Sequence, residues 1–106
     1  MAFMQITVLP MATENTGVSG YIADIQEFLQ GKEVDYELND MATIINGTPA
    51  ELFNIAEELH NCPFQHGAER VITQIILDER RDKEVRLGEK KNAVLDILAK
   101  RAEQEK

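Results

Sequence analysis

Residues 3–9, FMQITVL, alternate: Met4, Ile6 and Val8 fall on one side, and Phe3, Gln5, Thr7 and Leu9 on the other. A period of two predicts a strand, with Pro10 expected to end it. MATENTGVSG, rich in Thr, Ser, Asn and Gly, predicts a loop. The period then lengthens to three and four. Val18, Tyr21, Ile22, Ile25, Phe28 and Leu29 predict a helix that stops at Gly31. EVDYELN returns to alternation, with Val34, Tyr36 and Leu38 opposite Asp35, Glu37 and Asn39, and MATIING predicts a third strand closed by Asn46-Gly47. The short break at Asn39-Asp40 joins these two strands as a hairpin.

TPAE opens the next helix with two signals at once. Thr48 and Glu51 form a capping box, and Pro49 takes the first helical position, where its missing N–H is harmless. Leu52, Phe53, Ile55, Ala56 and Leu59 supply the apolar stripe, and Pro63 is expected to kink the helix or end it early. After Gly67, AERVITQIILDERRD predicts a fourth strand. Val71, Thr73, Ile75 and Leu77 lie on one of its faces; Arg70, Ile72, Gln74, Ile76 and Asp78 lie on the other. Leu87, Val94, Leu95, Leu98 and Ala102 mark an amphipathic helix over about 87–102, with a fraying tail RAEQEK. The order β-α-β-β-α-β plus one helix predicts an α+β, ferredoxin-like sandwich. Its antiparallel sheet has order 4-1-3-2, and its helices cover one face. No internal repeat or linker interrupts the chain, so residues 1–106 are read as a single domain.

In that sandwich Met4, Ile6 and Val8 face the helices, together with Met41, Thr43 and Ile45 of strand three and Val71, Thr73, Ile75 and Leu77 of strand four. This layer is aliphatic except for two threonines, expected on either side of Ile6. A buried hydroxyl without a partner costs about 1–3 kcal/mol, so each needs one. Two readings stay open: a local structural bond, common for strand threonines, or a small ligand pocket beneath the Thr/Ser loop. The outer face holds Gln5, Thr7, Ala42, Ile44, Ile72, Gln74 and Ile76. That mixture is too apolar for water and too polar for a core, and it predicts contact with a second copy in a symmetric oligomer.

Composition narrows the function classes. With 106 residues and 43% hydrophobic content, the chain has enough apolar material for one core. A lone cysteine, Cys62, makes no internal disulfide. The apolar start lacks a basic region and no apolar run approaches membrane-spanning length, so a cytoplasmic location is expected. Net charge is −8, unevenly placed: residues 1–69 carry one basic residue, Lys32, and 11 acids, whereas residues 70–106 carry ten basic residues and eight acids. Such an acidic body repels phosphate backbones, which argues against nucleic-acid partners. The basic residues of DERRDK sit among Asp78, Glu79 and Asp82, the composition of an ion-pair network. His60, Cys62 and His66 form a candidate ligand set, but Pro63 is expected to disturb their register and structural zinc takes four ligands. A helix end with a core-facing Cys62 is the expectation, with no metal. No nucleophile–base–orienter set is present, so no catalytic residue is assigned.

Three stretches together resemble the small thiamine-binding proteins, single-domain relatives of the YkoF-like thiamine and hydroxymethylpyrimidine binders. TVLPMATENTGVSGYIADI is similar to the family's first strand, Thr/Ser-rich loop and helix start. YELNDMATIING is similar to its Met-Gly-Thr hairpin, and HGAERVITQIILDERRDK to its Gly-Ala-Glu-Arg-Val strand. The resemblance covers residues 3–100. It implies a ferredoxin-like fold, assembly by sheet packing into dimers or tetramers, and non-catalytic binding of thiamine through its aminopyrimidine, with thiamine as ligand and no cofactor. Thr43 matches the Met-Gly-Thr threonine, Ser19 the helix-start serine, and Thr73 the strand-four threonine. Ala42 replaces the family's usual Gly and Asn46 its usual acidic residue, and Gly17 and Gly20 alter the loop. Thr43, Thr73, Ser19, Thr13, Met11 and Asn46 are the candidate ligand residues. The rival readings are a metabolite-sensing regulatory module and an enzyme of acylphosphatase-like or dimeric α+β oxygenase type. The hydrolase needs an arginine in the first loop, and residues 10–20 contain neither Arg nor Lys.

Overall fold

A computed structural model describes residues 1–11 and 18–105, the side chains of Val18 and Ser19 excepted. The elements are β1 (Ala2–Met11), α1 (Val18–Gln30), β2 (Asp35–Leu38), β3 (Thr43–Gly47), α2 (Pro49–Gln65), β4 (Arg70–Glu79) and α3 (Glu89–Gln104). All strand pairs are antiparallel, in the order β2-β3-β1-β4, which is the ferredoxin-like arrangement. β1 is central because its alternation serves two partners: Met4 lies between Ile45 and Leu77, and Ile6 between Thr43 and Ile75. The core forms where the helices cover that row. Ala2, Met4, Ile6 and Ile45 from the sheet meet Ile25 and Leu29 of α1 and Leu52, Ile55, Ala56 and Leu59 of α2.

Local chemistry sets most boundaries. Thr48 Oγ1 accepts from the Glu51 N–H while the Glu51 carboxylate accepts from the Thr48 N–H, so the capping box closes in both directions. Gly67, at φ 96°, makes the left-handed turn into β4 that a side chain would strain. The hairpin closes with Asn39 N–H donating to Ala42 O at 2.9 Å.

Four expectations need correction. β1 continues through Pro10 to Met11, because beyond Ile6 it pairs only with β4, and on its free flank a missing N–H breaks no ladder. α2 runs through Pro63 to Gln65. The proline sits in the last turn, where it removes one hydrogen bond at most, and its ring is fully buried. Met41 is 88% exposed in the hairpin turn instead of lying on the helix-covered face, because β3 begins only at Thr43. Finally, Leu87 and the stretch to Gly88 precede α3, and α3 buries none of its residues. The radius of gyration is 17.0 Å, against about 13 Å for a compact chain of this length. α3 therefore stands away from the two-layer body. Among the described residues, no helix is long and apolar enough to cross a membrane.

Candidate functional site

The helix-covered face is fully buried at its centre, at Met4 and Ile45, and among the described residues burial falls off toward the end where β1 finishes and β4 starts, with Val8, Val71 and Thr73 half-buried. Thr43 stands beside Ile6, as expected, but Thr73 stands beside Val8, one pleat further along. The two threonines therefore lie diagonally across β1, with Cα positions roughly 12 Å apart from ideal strand spacings. Ile6 and Val8 of β1 lie between them, Ile6 in the core and Val8 half-buried. Ile75, on the same face, remains 41% exposed because β4 is an edge strand that α2 covers only in part.

Each hydroxyl meets one side chain from the helix above it. Gln26 of α1 donates from Nε2 to Thr43 Oγ1 at 3.2 Å, and Thr43 is only 7% exposed. His60 Nδ1 of α2 lies 2.7 Å from Thr73 Oγ1. The His60 ring stands edge-on to Phe64, one turn further along, with centroids 5.5 Å apart. Ile22 precedes Gln26 by one helical turn, so the two share a face. Ile22 and Phe64 are both part-exposed apolar walls beside the polar pairs. The result is a hydroxyl–amide pair at the edge of the buried core, beside Ile6, and a hydroxyl–imidazole pair beside the half-buried Val8. A flat heteroaromatic ring with polar edges suits that layout: its faces need apolar contact and its edges need donors and acceptors.

Of the six candidate ligand residues, the structure brings Thr43 and Thr73 to one face and one end. Thr13, and the Ser19 side chain, lie outside the described residues. Met11 ends β1 opposite Arg70, and strand alternation places it on the outer face with Leu9 and Thr7. Asn46 also faces outward. It is 3% exposed, and its Nδ2 donates to Ala2 O at 2.9 Å and to Val85 O at 3.4 Å, tying the segment after β4 to the sheet. Gln26 and His60 were not read as partners of the threonines. Gln26 has a signal: it interrupts the stripe Ile22, Ile25, Leu29 at a position where an apolar residue is expected. His60 lies one turn after buried Ala56, but period alone does not tell a sheet-facing histidine from a surface one.

Arg70 starts β4 at this end, opposite Met11, and strand alternation from Thr73 puts it on the outer face. Arg80 and Arg81 follow β4 at its far end, seven or more residues beyond Thr73, and are paired locally. Arg80 Nε donates to Asp82 at 2.9 Å and Arg81 Nε to Glu79 at 3.0 Å, so DERRDK is an ion-pair network. The Arg80 bonds hold the Asp82 carboxyl down at about 2, and Arg81 likewise lowers that of Glu79.

On the solvent side of the helix pair, Asp24, Cys62 and His66 converge, with donor atoms within 4.8 Å of one another. His60 is turned away from this group toward Thr73, so the candidate set of His60, Cys62 and His66 is split between two faces of α2. Cys62 is part-exposed rather than core-facing. Burial, and then the nearby Asp24 carboxylate, push its thiol pKa up.

A family model described as thiamine-binding protein matches residues 4–95. The UPF0045 protein YqgV of Bacillus subtilis is 40% identical over 98 residues, covering 89% of this chain and 94% of the relative. Among solved structures, a hypothetical protein of Methanocaldococcus jannaschii is similar with a TM-score of 0.76 at 25% identity, over 88% of this chain and 94% of that one. A Thermotoga maritima protein named as a candidate for thiamine biosynthesis/salvage has the same fold. Its TM-score is 0.69 at 22% identity, over 84% and 92% of the two chains.

Proposed function

The chain belongs to the thiamine-binding protein family, and on that premise we propose that it binds thiamine through the hydroxymethylpyrimidine moiety, as a non-catalytic carrier or buffer. The proposed place is the end of the helix-covered face where β1 finishes, between Thr43 and Thr73. The observation that supports this most is the pairing of each hydroxyl with a helix side chain. Gln26 donates to Thr43, so it occupies one acceptor site of that oxygen and leaves the O–H to be given to a ring nitrogen. The Thr73–His60 pair offers a second polar edge, and the half-buried Val8 offers apolar contact between the two pairs. Thr13, and Ser19 at the start of α1, are further candidate ligand residues; Thr13 and the Ser19 side chain lie outside the described residues. The net charge of −8 favours the thiazolium cation.

Phosphate esters gain nothing in this reading. Among the described residues no Lys or Arg of the sheet shares the face of Thr43 and Thr73: Arg70 is turned to the outer face, and the ion-paired arginines lie at the far end of β4. We further infer a homo-oligomer, in the cytoplasm, built over the outer sheet face. Ile72, Ile76 and Leu9 are exposed there, and α3 presents Val94, Leu95, Ile97 and Leu98, each half-exposed among the described residues.

Calorimetry tests the ligand. Thiamine and free hydroxymethylpyrimidine are expected to bind, and thiamine diphosphate no more tightly than thiamine. Thr43→Val removes one neutral hydrogen bond and should weaken binding by about 0.5–1.5 kcal/mol, up to roughly tenfold. Silence with both ligands, or equal affinity in Thr43→Val and Thr73→Val, would overturn the reading. Heat from an amino acid in their place would favour a regulatory module.

A further inference from the structure

α2 passes through Pro63 without a break, and this places Cys62 and His66 one turn apart on the same side, facing α1. Asp24 meets them from the middle of α1. His66 Nε2 lies 2.8 Å from Asp24 Oδ2, and the Cys62 sulfur lies within 4.8 Å of both. We propose that Asp24, Cys62 and His66 form a binding site for one divalent transition ion of the zinc class at the outer seam of α1 and α2.

The donor chemistry selects the ion. A sulfur, an imidazole nitrogen and a carboxylate oxygen suit zinc or cobalt, whereas magnesium and calcium take oxygen ligands. Metal–ligand bonds of about 2.0–2.3 Å put two donors of a tetrahedral site roughly 3.4–3.8 Å apart. Reaching that spacing takes shifts of about 1 Å: the sulfur moves in, and the Asp24–His66 pair opens as the ion replaces their shared proton. The side chains of Asp24 and His66 are 39% and 51% exposed, so both have room to turn. Tyr21 stands edge-on to the His66 ring at 5.9 Å between centroids and limits its swing. A cleft of about 400 Å³ opens beside the trio, lined also by Glu58, Asn61 and Gln65. It leaves the fourth position to water, to the Glu58 carboxylate or to an exogenous ligand, so the site is an open one.

A bound ion would tie α1 to α2, the helices that carry Gln26 and His60. The site nevertheless stands on its own donors and does not depend on what the threonine groove holds.

Cobalt(II) titration of the purified, reduced full chain tests it. One equivalent should produce thiolate-to-cobalt charge-transfer absorption together with the intense d–d bands of a four-coordinate ion, and zinc should bleach both. Saturating zinc should also raise the melting temperature, since an ion that binds only the folded chain stabilises it. Cys62→Ser should abolish the charge-transfer band. Asp24→Asn, which keeps shape, and His66→Ala should weaken cobalt binding by about tenfold or more, with the circular dichroism of each apo variant unchanged. Absence of the band at equimolar cobalt would overturn the proposal. So would a band that survives Cys62→Ser, or an affinity untouched by Asp24→Asn and His66→Ala.

Discussion

α2 and α3 are nearly the same length, 17 and 16 residues, and both carry apolar side chains at spacings of three and four. Their fates differ completely. α2 buries Leu52, Ile55, Ala56, Leu59 and Pro63, whereas α3 buries nothing and leaves Val94, Leu95, Ile97 and Leu98 about half exposed. The difference lies in connectivity. α2 links β3 to β4 across β1, so the crossover delivers its stripe onto the sheet. α3 follows the last strand, after both helix positions over the sheet have been filled. An amphipathic pattern therefore states that a face needs cover and leaves open what covers it.

Charge insertion should separate the two helices most widely. Leu52→Lys places an unpaired charge in the core and should abolish the folded state, at a cost of about 3–5 kcal/mol or more. Leu95→Lys should leave far-UV circular dichroism native while light scattering reports dissociated chains. If Leu95→Lys unfolds the chain instead, α3 belongs to the same core as α2. Removal of apolar atoms gives a milder version. Leu59→Ala should lose about 2–5 kcal/mol in urea, and Leu98→Ala, measured on dissociated chains, less than about 0.5 kcal/mol. Equal losses would erase the contrast.

Helix starts give a smaller effect. α2 begins with a two-way capping box, while α3 begins at Gly88, at φ 89°, with no side-chain cap. Thr48→Ala should lower stability by about 1 kcal/mol in chemical denaturation. The acid limb supplies a sign test. Hydrogen bonds from the Thr48 side chain and then its backbone lower the Glu51 pKa in the folded chain. Their stabilisation is therefore present above the unfolded carboxylate pKa and is lost as pH falls through the lowered value. In Thr48→Ala, stability should decline less steeply across that acid window; an unchanged slope would show that the box does not set the Glu51 ionisation.

Part of the candidate site's geometry is legible in the chain. Strand alternation puts Thr43 and Thr73 each on a face otherwise made of aliphatics, and the structure has them on that face. Their diagonal offset is not legible, because pairing register follows from how strands align in space and alternation is blind to a shift of two. Gln26 and His60 are not legible as their partners, because a helix period gives a face without its neighbour. Alternation from Thr43 and Ile45 already turns Asn46 outward, away from the threonines. A proline in a last turn removes little, so Pro63 does not end α2.

The sequence by itself determined the kinds and order of the elements, the two faces of each strand, the α2 cap and the local ion pairs of residues 79–82. All of these depend on contacts between residues close in the chain. Only the tertiary structure decided which polar groups meet: Gln26 with Thr43, His60 with Thr73, and Asp24 with Cys62 and His66. Each pair joins residues 11 or more positions apart. Such meetings are set by how two helices settle on one sheet, where a rotation of a few tens of degrees exchanges one neighbour for another while the sequence pattern stays the same.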